Sequence, residues 1–466
     1  MKALVKAAAV ALLPILVASC ASESAEPAEP SDTRTQSDVP PPLVPAMDLP
    51  ENAVQNAVAK IDGLAEDLMS KSGIPGMAVA VVHGGKTVYA KGFGVKDVRN
   101  GDEVDPDTVF QLASLSKPVS ATVVARQVGM NAIGWDTPIV EKLPSFALSD
   151  PTVTRMVTVG DMFSHRSGLP DHAGDELEDL GHDRRYVLER LRQLPLDPFR
   201  ISYAYTNYGF TTGAEAVAVS AGKSWEDLAD EALLRPLGMT STSYRFADYE
   251  ARPNRAIGHI HVDNKYEPLY IRDPQPQAPA GGVSSSVNDM TRWLAMVLAN
   301  GSHDGKQVVD EKALLPAVTP QIVSSRATEP AMRSGFYGYG FNVSPTSAAR
   351  MELSHSGAFE LGAGTNIVIL PSADVAIIAL TNATPSGVPE ALNAQFGDLV
   401  QFGEIREDWY PLYRDVLAPL EKPVGSLVGE QRPANPAPAG PLSSYVGTYN
   451  NDYWGPARIT EKDGKL

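Results

Sequence analysis

A serine and a lysine stand in this chain at a spacing that could support acyl chemistry. The segment Val109–Lys117 contains Ser114-x-x-Lys117 and leads into a helical pattern running to about Val128. If Ser114 opens that helix, its side chain and that of Lys117 share one face a turn apart, so an amine lies beside a hydroxyl. Serine is a poor nucleophile until a base takes its proton, and a lysine can do so once desolvation lowers its pKa. The backbone N–H of Ser114, unpaired at a helix start, can also face a developing oxyanion. Pro118 fits a first helical turn but biases Lys117 away from helical angles. Downstream come Tyr205-x-Asn207, in the aromatic segment Tyr203–Phe210, and His355-Ser356-Gly357, followed by Ala358.

Each of these patterns is weak alone. Ser220-Ala221-Gly222-Lys223 repeats the first one, and there Gly222 reads more simply as a helix cap. Tyr449-Asn450-Asn451 repeats the second. Lys71-Ser72-Gly73 and the His-x-Gly starts at His83, His172 and His303 imitate the third. None of the imitations keeps the order Ser-x-x-Lys, Tyr-x-Asn, His-Ser-Gly in which the first set runs. His165 reads as a brace or cap. His259 and His261, two apart, would share a face of a strand and could hold zinc, so a metallohydrolase is carried as a different class of function, although no third ligand stands at useful spacing.

The ordered set Ser114-x-x-Lys117, Tyr205-x-Asn207, His355-Ser356-Gly357 resembles the three-part signature of class C-type serine β-lactamases and their relatives: penicillin-binding proteins, esterases and D-aminopeptidases. Phe163–Leu169, Pro236–Thr240, Pro279–Ser285 and Thr381-Asn382 are also similar to family segments, so the likeness runs from roughly 53 to 401. The resemblance implies a β-lactamase/transpeptidase-like fold with no cofactor. It makes Ser114 the nucleophile of an acyl-enzyme, with Lys117 and Tyr205 sharing general-base and general-acid work. Asn207 would orient the substrate, and the N–H groups of Ser114 and Ala358 would form the oxyanion hole on the strand of Ser356 and Gly357. His355 stands where many members have lysine. A lysine there adds a fixed charge for a substrate carboxylate, whereas a histidine is mostly neutral at pH 7, so neutral esters are expected to outrank β-lactams, with D-amino-acid amides or peptides as the alternative. A catalytically inactive binding module is a further class, opposed by the intact Ser, Lys, Tyr and Asn.

The elements that must position these residues are legible as periodicities. Apolar residues at 54, 58, 61, 64 and 68 mark one face of a helix capped by Gly73. Met77–Val82 and Thr87–Phe93 flank His83-Gly84-Gly85-Lys86 as a hairpin, and Gly364–Leu370 and Val375–Leu380 flank Pro371–Asp374 in the same way. Strands from both ends with helical patterns between them predict an α+β domain, an antiparallel sheet flanked by helices plus a helical subdomain.

Around this body, expected at 51–405, lie a tether at 20–50, a Pro-rich linker at 406–440 and a short β-type segment at 441–466 that either docks on the body or opens a β-domain. Lys2 and Lys6 precede an apolar run ending in Val17-Ala18-Ser19-Cys20, which reads as a signal peptide of 1–19 with the lipid on Cys20, the sole cysteine. That pattern is similar to bacterial lipoprotein signals and predicts an exported, membrane-anchored protein on the periplasmic face. Ala21 favours the outer membrane in a Gram-negative host. The net charge of −17 argues against nucleic acid and leaves a small-molecule or peptide substrate as the expected partner.

Overall fold

The computed structural model describes residues 39–466. Cys20, the signal peptide and the tether up to residue 38 lie outside the described residues. Residues 39–44 are the described part of a first unit that ends at Val44, with a 3-10 turn at Pro41–Leu43. Pro45–Leu466 forms the second unit.

Its main sheet contains, in chain order, β1 (Gly76–His83), β2 (Lys86–Gly94), β3 (Ile322–Ser325), β4 (Gly335–Tyr337), β5 (Asn342–Pro345), β6 (Met351–Phe359), β7 (Ala363–Leu370) and β8 (Val375–Thr381). In space the order is β2-β1-β8-β7-β6-β5-β4-β3, antiparallel throughout. Both expected hairpins form, and they meet at the β1–β8 pair, where Met77 faces Thr381 and His83 faces Val375. The two ends of the domain thus close one sheet. This is the α+β arrangement, an antiparallel sheet with helices, that the sequence predicts.

Strand alternation gives the sheet two apolar faces. Met77, Val79, Val81, Val368, Ile377 and Ala379 pack beneath α1 (Ile61–Ser72) and the later helix Val388–Phe402. Ala78, Ala80, Val82, Ile367, Ile369, Ile378 and Leu380 face the large core shared with α2 (Ser116–Gly129), α3 (Asn207–Ala221) and α4 (Val287–Leu298). Parity thus assigns residues to one face or the other along the central strands, and the site forms on the second face.

Several expectations change. The first helical pattern is broken at Ala59-Lys60 into Ala53–Val58 and α1, whose end is capped by Gly73 at φ +71°. The end of the expected tether is fastened down, because Ala46 N–H donates to Ala348 O at 2.9 Å and Arg350 Nη2 to Met47 O at 2.8 Å. The expected linker does not start at 406. Trp409–Leu417 is a helix against Val388–Phe402, with Trp409 Nε1 donating to Asp398 Oδ2 at 2.7 Å, because its aromatic residues had an apolar surface to cover. The C-terminal segment is a hairpin, Gly447–Asn451 with Gly455–Ile459, and Tyr453 at its turn packs against the large core.

Candidate active site

The chain enters the site through strain. Ala113, fully buried, sits at φ +49°, in the left-handed region that costs a residue with a Cβ on the order of 1 kcal/mol or more. The 3-10 turn Ala113–Leu115 follows, and α2 begins at Ser116. Ser114 therefore lies in the turn ahead of the helix instead of opening it. Lys117 takes helical geometry in spite of Pro118, which occupies the first turn where its missing N–H does no harm.

Lys117 is 0% exposed, and its amine has three partners. Nζ lies 3.1 Å from Ser114 Oγ, 2.7 Å from Asn207 Oδ1 and 3.1 Å from the carbonyl of Ala280. Ala280 is delivered by the segment Ala278–Gly281, held along α2 by Ser120 Oγ donating to Pro279 O at 2.6 Å and Val283 N–H donating to Ser116 Oγ at 2.9 Å. Burial drives the Lys117 pKa down to about 7, with the Asp175 carboxylate pulling partly the other way. Tyr205 OH donates to Ser114 Oγ at 2.8 Å, and burial raises its pKa, so the phenol keeps its proton. Four of the residues singled out from sequence, Ser114, Lys117, Tyr205 and Asn207, are thus joined by hydrogen bonds.

The third segment lies on β6. Leu353, His355 and Gly357 lie on the face of the sheet that bears the site, whereas Ser356 faces the other side, where Asn366 Nδ2 donates to its Oγ at 3.0 Å. Ser356 is therefore corrected as a substrate-binding side chain: parity turns it away. A Cβ built on Gly357 would stand 2.1 Å from Leu112 O and 3.1 Å from Ser114 N, so only glycine lets β6 approach the serine turn this closely. β5 pairs with β6 only as far as Ser354, and the exposed Ala358 lies on the stretch beyond.

His355 is 5% exposed, and both ring nitrogens are engaged within the protein. Tyr337 OH lies 2.9 Å from Nε2 and Ser356 O lies 2.7 Å from Nδ1, which assigns the proton to Nδ1 and the acceptor role to Nε2. Burial, with the neighbouring Lys117 amine, drives its pKa down to about 3. It is a neutral ring with no donor left over.

Two residues that the sequence reading set aside, His165 and His172, and one that it did not single out, Asp175, sit at the site. His165, at φ +57° and buried, accepts from Thr206 N–H at 3.2 Å through Nδ1 and lies 4.5 Å, ring to ring, from Tyr205. Its role as a brace is thereby located. His172, dismissed as an imitation His-x-Gly, donates its backbone N–H to Tyr205 O at 2.7 Å. Asp175 accepts from Asn207 Nδ2 at 2.9 Å and from His172 Nδ1 at 2.8 Å. No local pattern marks Asp175, which lies in a run of acidic residues.

The imitations fall elsewhere. Ser220 Oγ donates to Ala132 O at the end of α3, and Lys223 pairs with Glu231. His259 is buried between Val98 N–H and Asn382 O, while His261 is exposed beside Tyr266. The expected shared face of His259 and His261 does not form, because the strand Ile260–Val262 begins only after His259. No group of three or more His, Cys, Asp or Glu suited to a metal occurs among the described residues. No helix among them is long and apolar enough to cross a membrane.

Comparison with known proteins finds relatives along most of this chain. The family model described as Beta-lactamase matches residues 61–402. The unguisins hydrolase of Aspergillus campestris is 29% identical over 82% of this chain and 73% of its own length. Penicillin-binding protein 4 of Amycolatopsis lactamdurans is 29% identical over 68% and 82%. Among solved structures, the octameric penicillin-binding protein homologue from Pyrococcus abyssi superposes with a TM-score of 0.65 at 21% identity, covering 87% of this chain and 86% of that one.

Proposed function

The chain belongs to the β-lactamase family of serine hydrolases, and from that premise we propose that it cleaves neutral esters or small amides through an acyl-enzyme on Ser114. The observation that carries this reading is the set of three partners around the buried amine of Lys117. A neutral amine has two N–H bonds and one lone pair. Asn207 Oδ1 and Ala280 O can only accept, so they take the two N–H bonds and leave the lone pair for the Ser114 hydroxyl 3.1 Å away. With a pKa of about 7, that amine is free to act as a base near neutrality.

In the forward step Ser114 Oγ attacks the acyl carbon as its proton passes to Lys117 Nζ. The developing oxyanion faces the N–H groups of Ser114 and Ala358, across the gap that Gly357 keeps narrow. The protonated Lys117 and the Tyr205 hydroxyl, both in contact with Oγ, return a proton to the leaving oxygen or nitrogen. Water then takes the place of the leaving group, and the same two residues run the transfer in reverse.

The preference for neutral substrates rests on His355. Its nitrogens are occupied by Tyr337 and Ser356, and its low pKa keeps it uncharged, so it offers a substrate carboxylate no cation. The test is intact-mass spectrometry of the purified protein after fluorophosphonate, then after a panel of aryl esters, D-amino-acid amides and β-lactams. A Ser114 adduct with ester turnover well above cephalosporin turnover supports the proposal. A cephalosporin kcat/KM above that of every neutral ester refutes the substrate class. Anchoring through Cys20 is part of the same proposal: Cys20→Ala should move the protein from the membrane to the soluble fraction with unchanged specific activity.

A further inference from the structure

We infer that Asp175, backed by His172, is a positioning residue that locks the Asn207 amide in the one orientation that leaves the Lys117 lone pair on Ser114. The inference rests on the reading of Lys117 as base. A primary amide presents an acceptor and a donor of nearly equal shape, and a half-turn exchanges them. In the observed orientation Oδ1 meets Lys117 Nζ at 2.7 Å and Nδ2 meets Asp175 Oδ2 at 2.9 Å. After a half-turn, Nδ2–H would face Nζ, capture its lone pair and turn an N–H bond toward Ser114, and the base would be spent.

An ionised carboxylate is acceptor-only, so Asp175 tolerates only the donor end of the amide. The same Oδ2 accepts from His172 Nδ1 at 2.8 Å, which fixes the carboxylate in turn. The backbone holds the pair in place. Gly174 sits at φ +94°, where a Cβ would lie 2.6 Å from Val187 and 3.1 Å from Tyr208, and His172 N–H is bonded to Tyr205 O. One short loop thus fastens both Tyr205 and Asn207. The charges facing Asp175 are Lys117 across the amide, His172 and, within its own segment, Asp171, Glu176 and Glu178.

The experiment measures the rate of Ser114 labelling by a fluorophosphonate, and kcat/KM for an aryl ester, between pH 5 and 10 on the full chain. Asp175→Asn is isosteric and keeps the volume but lets both amides turn. It should slow labelling about tenfold to hundredfold and, by removing a negative charge near the amine, move the acidic limb down by about one pH unit. The exchange Asp175→Asn with Asn207→Asp restores an acceptor toward Lys117 and a donor behind it, with the charge now against the amine. Labelling should recover at high pH, with the acidic limb above that of the parent. Parent plateau rates in Asp175→Asn would overturn the inference wherever the limb lies, as would an exchange variant no faster than Asp175→Asn at any pH. If Lys117→Ala labels at the parent rate, the reading of Lys117 as base fails instead, which separates the two.

Discussion

Ser114-x-x-Lys117 and Ser220-x-x-Lys223 are the same pattern in two places, and the contrast shows what makes a nucleophile. The first lies where a chain enters a helix, beneath a sheet and a second helix. Its lysine is 0% exposed, with its amine held by an amide oxygen and a carbonyl. The second lies where a helix leaves the body. Gly222 ends the helix at φ +66°, Ser220 is bonded to the Ala132 carbonyl, and Lys223 is in solvent with Glu231. Spacing brings an amine near a hydroxyl only if the chain keeps turning through both, as the 3-10 turn running into α2 does at Ser114, and it lowers the amine's pKa only if the tertiary structure removes water.

The contrast breaks most sharply on the serines. Ser114→Ala should abolish fluorophosphonate labelling and lower turnover by about 10⁵-fold or more, with the far-ultraviolet dichroism unchanged, while Ser220→Ala labels at the parent rate. Labelling that survives in Ser114→Ala and maps to Ser220 would reverse the assignment.

Next come the groups on the proton. Lys117→Ala and Tyr205→Phe should each lower the acylation rate by roughly 10²- to 10⁴-fold, and the double variant by much less than the product, because both act on one transfer. Strictly multiplicative losses in stopped-flow acylation would assign them to separate steps.

The pH dependence sharpens the comparison further. Lys117 must be neutral to accept a proton, so kcat/KM should rise with pH through about 7 and flatten above it. Lys223→Ala should leave that limb where it is.

Stability gives a smaller effect of definite sign. The folded pKa of Lys117 lies below its ordinary value, so the folded state binds fewer protons than the unfolded one between about 7 and 10.5. The cost of burying the charged amine is therefore fully present below pH 7 and is relieved as pH rises through that window. The Tm of Lys117→Met relative to the parent should fall by roughly 5 °C from pH 6 to pH 10 in calorimetry. A pH-independent difference would mean that the amine keeps its proton in the folded protein throughout that range, so that its pKa is not lowered.

The smallest expected change concerns the substrate. His355→Lys replaces a ring tied to Tyr337 with a cation beside the cleft, and should shift relative kcat/KM toward carboxylate-bearing substrates by about tenfold. No shift in a paired assay of a neutral and an anionic aryl ester would remove His355 from the argument about specificity.

Much of this was legible in one dimension because it depends on local periodicity. The terminal hairpins, the caps at Gly73 and Gly222 and the order of the three segments follow from turn residues, alternation and spacing, which need no partner to be read. The break at Ala59-Lys60 and the docked helix Trp409–Leu417 were missed because each answers to a surface contributed by other segments. Ser356 was misassigned for a related reason. The motif gives its place on a strand, but which face looks at Ser114 is settled by the pairing of β6 with β7 and by the helix behind it.

By itself, then, the sequence determined which residues could do chemistry and in what order they come, because residue type and local geometry are properties of short segments. Only the tertiary structure decided which of two identical patterns is dry, and that His172 and Asp175 stand behind Asn207. It likewise decided that His355 is uncharged. Desolvation and hydrogen-bond partnership are set by atoms tens or hundreds of residues away in the chain, and no local pattern encodes them.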